Sequence, residues 1–260
     1  MIKVGYDAGH GFHTPGKRTP DGEREWSFND IVARAFANEL ATYGNVASKR
    51  FDDSTGKTDV PLKTRTDSAN AWGAHYYISF HHNANTAKWG TWTGVETFVY
   101  LGNSNTKSGQ LAKAVHPVLV KAYGLKDRGI KEGNLHIVRE TKMPAILIEG
   151  GFMDSIIDIK KLRDKTVLEN AGQMIAQAFA NFVGLKKVSA TPNEKNKEEG
   201  IEMLLKLDST TKGDFAKLFR KAYTEGIFTT DHSMKIANYS DEKIYNLYVS
   251  YQIRKELANK

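Results

Sequence analysis

The stretch MPAILIEGGF, residues 143–152, contains a short, fully apolar run that ends in one acidic residue and two glycines. Uninterrupted apolar runs of this length are typical of strands that are buried on both faces in the middle of a parallel sheet. Glu149 follows the apolar residues directly, so this strand would carry a carboxylate to its carboxyl end. The stretch therefore predicts an α/β fold with a polar group at one edge of its sheet.

Two other predicted strands also end at polar residues. The apolar residues of the segment IKVGY, residues 2–6, alternate along the chain, and the segment leads into a glycine-rich turn that contains His10. The β-favouring run YYISF, residues 76–80, is followed by two histidines, His81 and His82. Because the carboxyl ends of parallel strands gather ligands and catalytic residues, this coincidence is the main indication of a functional site.

The segments between these strands show the apolar spacing of helices. One helix would open with a capping box formed by Ser27 and Asp30, and His136 would lie on a short strand. Further helices are predicted at residues 63–72, 110–123 and 168–183, and a further strand at residues 94–100. The alternation of strands and helices predicts an α/β domain.

A polar segment divides the chain into two predicted domains. Residues 186–200, KKVSATPNEKNKEEG, are charged and nearly free of apolar residues, which favours a linker. The linker would separate residues 1–185 from a small all-helical domain at residues 201–260, where apolar residues recur at helical spacing. The length of 260 residues suffices for one full α/β domain and a smaller second one.

The composition limits the kinds of function. A formal net charge of +7 and an isoelectric point near 9.3 favour polyanionic partners. Nucleic acid is not expected, because the sequence has no zinc finger, RNA-binding aromatic motif or dense basic stripe. The sequence contains no cysteine, so a metal ion would be held by His, Asp or Glu. The first residues, MIKVGYDAGHG, show neither a signal peptide nor a membrane anchor, so membrane insertion is not expected.

The residue types at the strand ends suit a zinc site. His10 and His81 would bind through neutral imidazole nitrogen, and a carboxylate from the loop before the first helix would complete three ligands and leave one position for water. Glu149 follows an apolar strand, so partial burial should raise its pKa and suit it to exchange protons with that water. A single histidine is more often structural, so the hypothesis depends on the whole set.

Several segments, taken in order, resemble the zinc-dependent N-acetylmuramoyl-L-alanine amidases typified by bacterial autolysins and phage endolysins. The resemblance extends over residues 1–185. It rests on DAGHG at 7–11, Glu25 ahead of a helix, ISFHHNA at 78–84, GVE at 94–96 and MPAILIEGGF at 143–152. It implies a twisted, mostly parallel sheet flanked by helices on both sides, in agreement with the order of elements above.

The resemblance also implies the roles of individual residues. The family's zinc ligands fall on His10, Glu25 and His81. Its essential glutamate falls on Glu149. In these enzymes the metal polarises the scissile carbonyl and activates water, and the glutamate takes the proton and passes it to the leaving amine. Two alternatives stay open: His82 in place of His81, and Glu23 in place of Glu25.

The expected function is therefore hydrolysis of the amide bond between N-acetylmuramic acid and L-alanine in bacterial peptidoglycan, with zinc as cofactor and lysis of the cell wall as the result. Without a signal peptide, a phage or prophage endolysin is favoured, made in the host cytoplasm and acting on the wall after release. Residues 201–260 would bind anionic wall polymers or pair two copies of the chain. The alternatives are a zinc peptidase or deacetylase of peptidoglycan and a wall-binding protein without activity.

An aromatic group follows the second histidine-bearing strand. Trp89, Trp92 and Phe98 would line a groove for glycan or peptide, because flat rings pack well on the faces of sugars. Phe98 also fits a position in the core. The sequence leaves this choice open.

Overall fold

The computed structural model describes residues 1–188, 209–227, 231–239, 243–244, 247–248 and 251. The chain divides into two compact units, Met1–Val188 and Ser189–Lys260. Of the predicted linker, residues 186–188 are described, and the rest lies outside the described residues. The predicted domain boundaries therefore stay a prediction.

The first unit is built around one sheet with six strands. They are β1 (Ile2–Ala8), β2 (Val46–Arg50), β3 (Tyr76–Asn83), β4 (Val95–Val99), β5 (Asp127–Glu132) and β6 (Ala145–Phe152). Their order across the sheet is β2-β1-β3-β6-β4-β5. Neighbouring strands are parallel except for β4 and β6, which are antiparallel. The predicted mostly parallel sheet is confirmed, and β3 and β6 lie at its centre.

Helices cover both faces of the sheet. They are α1 (Glu25–Leu40), α2 (Leu62–Trp72), α3 (Lys107–Tyr123), α4 (His136–Glu140), α5 (Ile159–Leu162) and α6 (Lys165–Val183). Helices α1, α3 and α6 pack on one face over the larger apolar core, and α2 and α4 pack on the other face over a smaller one. The predicted flanking of the sheet on both sides is therefore confirmed.

Apolar side chains and one close helix contact hold the larger face together. Phe36, Phe80 and Phe179 are fully buried there, and the ring of Phe36 contacts Phe80 in a tilted geometry and Phe179 edge-on. A Cβ atom at Gly172 of α6 would lie 2.4 Å from the carbonyl oxygen of Val32 in α1. Glycine at this position lets the two helices approach closely, which fixes α1 and its first residue above the sheet.

Some local predictions were wrong. Helix α1 begins at Glu25 with Arg24 as its N-cap, so Ser27 and Asp30 lie inside the helix and form no capping box. His136 begins the short helix α4 and does not lie on a strand. Strands β2 and β5 had not been predicted, because both are partly exposed and rich in charged residues.

The described part of the second unit is helical. It contains helix α7 (Ser209–Thr224) and a 3₁₀ helix at Ser233–Asn238. Five buried side chains form its apolar core: Phe219, Ala222, Ile236, Ile244 and Tyr251. The residues SDE at 240–242 predict the start of a further helix, and they lie outside the described residues. Among the described helices of both units, none combines the length and the apolar character needed to cross a membrane.

Candidate metal centre

His10 lies in the turn directly after β1. Its backbone has a φ of 67°, in the left-handed region that side chains other than glycine rarely adopt. The preceding Gly9 donates its N–H to the carbonyl of Phe80 in β3 at 2.9 Å. A Cβ atom at Gly9 would lie 2.0 Å from the ring of His81, so only glycine leaves room for that imidazole. The glycine-rich turn therefore brings two histidines from neighbouring strands together.

Arg65 of α2 holds this turn through hydrogen bonds to its backbone carbonyl groups. Its guanidinium is almost fully buried and donates to Oδ2 of Asp7 at 2.8 Å, to the carbonyl of Ala8 at 2.8 Å and to the carbonyl of His10 at 3.0 Å. A guanidinium is a rigid planar fork with five donors, so these bonds fix the position and the orientation of the turn. Arg65 therefore stabilises the unusual backbone conformation of His10.

Glu25 is the first residue of α1 and is 2% exposed. The positive end of the helix dipole favours a carboxylate at this position. The side-chain amide of Asn29 donates to Oε1 of Glu25 at 3.3 Å and to the carbonyl of Gly9 at 3.0 Å, and the backbone N–H of His82 donates to the same Oε1 at 3.3 Å. The carboxylate is therefore held in one orientation, facing the two histidines.

The three predicted ligands form one cluster. Nδ1 of His81 lies 3.0 Å from Oε1 of Glu25, and Nε2 of His10 lies 3.3 Å from Oε2. Each residue offers one donor atom, and these atoms lie within 4.8 Å of one another. Tetrahedral zinc with nitrogen and oxygen ligands at about 2.0–2.2 Å places its donors roughly 3.3–3.6 Å apart. The donor types fit zinc, and the two nitrogen–oxygen separations of 3.0 and 3.3 Å lie close to this spacing.

The pKa values in this cluster follow from burial and from the mutual contacts. Burial opposes the ionised form of Glu25, but the hydrogen bond and charge of the imidazoles outweigh it and lower the pKa of Glu25 to about 2. Burial lowers the pKa of His10 to about 4. Burial also acts against the charged form of His81, yet Glu25 raises the pKa of His81. An ionised carboxylate and a neutral His10 at neutral pH are the forms that bind metal.

Glu149 lies near the end of β6, beside the cluster. It pairs in register with His81 on β3, and burial raises the pKa of Glu149 to about 8. Its Oε2 atom is buried and has no hydrogen-bond partner within the described part of the chain. A buried carboxyl oxygen without a partner is costly, so its retention here points to a role in chemistry.

Glu96 of β4 pairs in register with Glu149 from the other side. Its Oε1 accepts a hydrogen bond from the side chain of Asn83 at 2.7 Å, and its Oε2 accepts from Arg128 at 2.8 Å and from Lys131. Burial raises the pKa of Glu96, but the two cations outweigh burial and lower it. Two neighbouring carboxylates therefore have pKa values shifted in opposite directions.

The two alternative ligands lie elsewhere. The side chain of His82 points to the other face of β3, where its ring nitrogens lie 2.7 Å from Oδ1 of Asn29 and 3.0 Å from the hydroxyl of Tyr123. Glu23 is half-exposed and forms an ion pair with Arg163 at 2.6 Å. The geometry favours His81 and Glu25 over these two, in line with the alternation of side chains along a strand.

The loop between β3 and β4, residues 84–94, is fixed at the same edge of the sheet. The buried carboxylate of Asp154, which follows β6, accepts hydrogen bonds from the backbone N–H groups of Asn85, Thr86 and Ala87 at 2.8–2.9 Å. Its other oxygen accepts from the indole of Trp92 at 2.7 Å. The loop that follows the histidine strand is therefore tied to the loop that follows the Glu149 strand.

The residues that support the site could not be predicted from the sequence. Arg65, Asn29 and Asp154 were not among the predicted site residues, although all three are buried and bonded to the site or to its loops. Their partners are distant in sequence: 58 positions separate Arg65 from Asp7. Pairs so far apart in the chain produce no recognisable short-range motif in the sequence. The available signal was the type of residue alone: a charged or amide side chain within a predicted helix for Arg65 and Asn29, and an acidic residue after a buried strand for Asp154.

The fold and the site together define a hydrolytic enzyme of α/β architecture with a candidate metal centre. Residues 4–181 match the N-acetylmuramoyl-L-alanine amidase family, and the chain belongs to that family. It is therefore a hydrolase that acts on an amide bond of peptidoglycan. This result confirms the family and the enzyme class predicted from the sequence.

Individual relatives extend the comparison. The N-acetylmuramoyl-L-alanine amidase CwlM of Bacillus licheniformis is 34% identical over 193 residues, covering 73% of this chain and 72% of that protein. The endolysin of Bacillus phage SPP1 is 29% identical and covers 94% of this chain and 92% of its own length. Among solved structures, the catalytic domain of the amidase CwlV from Paenibacillus polymyxa superposes with a TM-score of 0.65 at 28% identity, over 72% of this chain and all of that one.

Proposed function

We propose that the chain is a zinc-dependent N-acetylmuramoyl-L-alanine amidase that lyses bacterial cell walls. One observation carries the proposal: the donor atoms of His10, Glu25 and His81 converge beside Glu149, whose buried Oε2 has no partner in the described structure. Two histidines and a glutamate form a known catalytic zinc set that leaves an open coordination position. When bound, zinc supplies Lewis acidity, which polarises the scissile carbonyl and increases the acidity of water.

Glu149 is the group that moves protons in this proposal. Its carboxylate takes a proton from the attacking water as the water oxygen forms a bond to the carbonyl carbon of the lactyl group. It then gives this proton to the nitrogen of L-alanine as the C–N bond breaks. The products are a carboxylate on the sugar and a free L-alanine amine. A pKa raised by burial suits both steps, because a carboxyl with a pKa near the working pH both accepts and donates readily.

The supporting groups keep this geometry constant. Asn29 orients Glu25, Arg65 holds the turn of His10, and Gly9 leaves space for the ring of His81. Pre-positioned ligands reduce the rearrangement needed when a metal or substrate binds.

The wider role is part of the same proposal. The similarity to the phage SPP1 endolysin over nearly the whole chain supports an endolysin, which would act on the wall after release from the cytoplasm of the host. The second unit would bind anionic wall polymers or pair two copies of the chain. The net charge of +7 supports attraction to such polymers.

The test combines metal analysis with wall digestion. Purified cell walls are incubated with the native protein, with chelated protein, with chelated protein restored by zinc, and with Glu149→Ala. Glu140→Ala serves as a matched control, because Glu140 is an exposed glutamate on α4. We expect one zinc ion per chain, a loss of activity on chelation that zinc reverses, and a rate loss of roughly a hundredfold to ten-thousandfold in Glu149→Ala.

Product analysis identifies the bond that is cut. The proposal requires new L-alanine amino termini in step with loss of turbidity, and none with Glu149→Ala. New amino termini from other residues would indicate a peptidase, and free acetate would indicate a deacetylase. Lysis that survives both chelation and Glu149→Ala would overturn the assignment of the site.

A further inference from the structure

An exposed apolar patch lies on the loops that follow the two central strands. Trp89, in the loop after β3, is 40% exposed, and Ile156 and Ile157, after β6, are 49% and 43% exposed. Large apolar side chains that are exposed together commonly mark a binding surface. We call these three residues the Trp89 patch.

Backbone contacts hold the two loops of the patch together. The N–H of Gly90 donates to the carbonyl of Asp154 at 3.0 Å, and the N–H of Ile156 donates to the carbonyl of Gly90 at 2.9 Å. Gly90 is also required by packing, because a Cβ atom there would lie 2.1 Å from the ring of Trp92. Trp92 is thus packed under the loop with its indole N–H bonded to Asp154, whereas Trp89 is 40% exposed.

A third loop borders the patch and links it to the metal centre. Arg163 lies 5.9 Å from the centre of the Trp89 ring and forms ion pairs with Asp21 and Glu23, at 2.5 and 2.6 Å. These carboxylates are half-exposed and belong to the loop that leads into Glu25. The loops that meet at Trp89 therefore adjoin the segments that carry His81, Glu25 and Glu149. The patch therefore lies on loops at the edge of the sheet where β3 and β6 end.

We propose that the Trp89 patch binds a sugar ring of the peptidoglycan glycan strand and holds the strand along the loops beside the scissile amide. The proposal rests on the proposed function and extends it by assigning a glycan subsite. The occupant is a polymer of N-acetylated hexoses, which lies next to the bond that the enzyme cuts.

The chemistry of the patch fits a sugar. A pyranose ring has apolar C–H faces and a rim of hydroxyl groups, so it matches a flat aromatic face bordered by hydrogen-bond acceptors. The indole of Trp89 and the side chains of Ile156 and Ile157 supply the apolar surface. The carboxylates of Asp21 and Glu23 supply acceptors for hydroxyl groups, and a carboxylate retains free lone pairs when it also accepts from an arginine. A few polar groups around an apolar surface are typical of a small-molecule site.

Binding and turnover are measured with the full zinc-loaded chain. The probe for binding is a peptide-free glycan strand of alternating N-acetylglucosamine and N-acetylmuramic acid, titrated by calorimetry. It contains no scissile amide, so the native protein can be used. The variants are Trp89→Ala, Trp89→Phe and Ile157→Ser, with Leu101→Ala as matched control, because Leu101 is 52% exposed and lies in the turn after β4.

We expect Trp89→Ala to weaken glycan binding about tenfold, equivalent to ~1.4 kcal/mol. Trp89→Phe should restore most of the affinity, because it keeps a flat ring. On intact walls, Trp89→Ala should raise KM about tenfold and change kcat much less. Its kcat/KM on walls should fall relative to that on a single N-acetylmuramoyl-peptide. Leu101→Ala should bind glycan like the native protein.

The outcomes separate this proposal from the proposed function. If the native protein releases L-alanine amino termini and Trp89→Ala binds glycan like Leu101→Ala, the subsite is overturned and the amidase function stands. If the native protein releases none, the function itself fails. If Trp89→Ala lowers the melting temperature, the result for Ile157→Ser decides. Native-like glycan binding by Ile157→Ser overturns the proposed subsite, and weakened glycan binding supports it.

Discussion

The two histidines that follow one another on β3 lie in contrasting regions of the molecule. His81 lies near the carboxyl end of β3, and its Nδ1 atom is 3.0 Å from Oε1 of Glu25, a carboxylate that would share a metal ion with it. His82 faces the interior, is 2% exposed, and lies within hydrogen-bond distance of Asn29 and Tyr123 with both ring nitrogens. Burial lowers the pKa of His82 to about 3, so it stays neutral. The same residue type is a candidate ligand on one face of the strand and a structural residue on the other.

The neighbouring carboxylates show the same difference. Glu149 has a buried oxygen without a partner in the described structure, whereas both oxygens of Glu96 accept hydrogen bonds. The contacts of Glu96 fit a structural role, whereas the unpartnered Oε2 of Glu149, beside the candidate ligands, is available to water or substrate. Mutations can test this contrast between the candidate site, with His81 and Glu149, and the hydrogen-bonded structural residues His82 and Glu96.

The largest effect is expected from His81→Ala. Loss of one of three ligands should abolish zinc binding and reduce wall hydrolysis about a thousandfold, equivalent to roughly 4 kcal/mol in the activation free energy. Zinc content by atomic absorption and initial rates on purified walls measure both effects. His13→Ala, an exposed histidine, is the control and should retain zinc. Full zinc content in His81→Ala would move the metal centre elsewhere.

Arg65→Lys should have the next largest effect, because the buried guanidinium of Arg65 holds the turn that carries His10. Lysine keeps the charge but cannot form the planar set of bonds to Asp7, Ala8 and His10. We expect zinc affinity, measured by competition with a chromophoric chelator, to fall tenfold to a hundredfold. Arg34→Lys, at a half-exposed ion pair on α1, should bind zinc like the native protein. Equal affinities in the two variants would contradict the positioning role of Arg65.

His82→Leu should affect stability and leave the metal centre intact. The substitution removes the ring that lies between Asn29 and Tyr123 and leaves both polar groups buried without it, at a cost of about 2 kcal/mol. The melting temperature of the zinc-loaded protein should drop by roughly 4–8 °C, while zinc content stays at one per chain. Loss of zinc together with an unchanged melting temperature would reverse the roles of the two histidines.

The smallest effect is expected from Glu96→Gln, and it should depend on pH. The folded state holds the pKa of Glu96 below its usual value, so its contribution is present above the ordinary pKa of glutamate and is lost as the pH falls through the folded pKa. Lys131 is 37% exposed, so screening limits this contribution to about 1 kcal/mol. Metal-free Glu96→Gln should melt below the native protein at pH 7 and approach it on acidification. A constant difference across this range would contradict the ion-pair explanation.

Much of the fold could be predicted because its central elements carry strong local signals. The runs that became β3 and β6 are apolar and bounded by polar residues, and the amphipathic spacing located α2, α3 and α6. Edge strands lack this signal, since β5 reads DRGIKE and is buried only in part. For α4, the β-branched pair Ile137-Val138 favoured a strand, but packing against α2 and β6 outweighs that preference.

The candidate site likewise contains residues that could be predicted from the sequence and residues that could not. His10, His81 and Glu149 could be named because they stand at strand ends, and Glu25 because it precedes a predicted helix in the family pattern. The assignment of all four stays a prediction. The choice of His81 over His82 followed from alternation, and the contacts of both residues now support it. The groups that position the ligands could not be predicted, because their partners are set by the packing of whole helices on the sheet. Arg65 is the clearest example.

The reversed direction of β4 has a consequence for how such an enzyme can change during evolution. Because β4 runs antiparallel to β6, the connection at residues 84–94 starts and ends at the same edge of the sheet and never crosses to the other end. Insertions or exchanges in this connection would reshape the surface beside the metal centre without altering the pairing of any strand. Evolution or protein engineering could therefore change the specificity for cell walls through this segment while the catalytic framework stays the same.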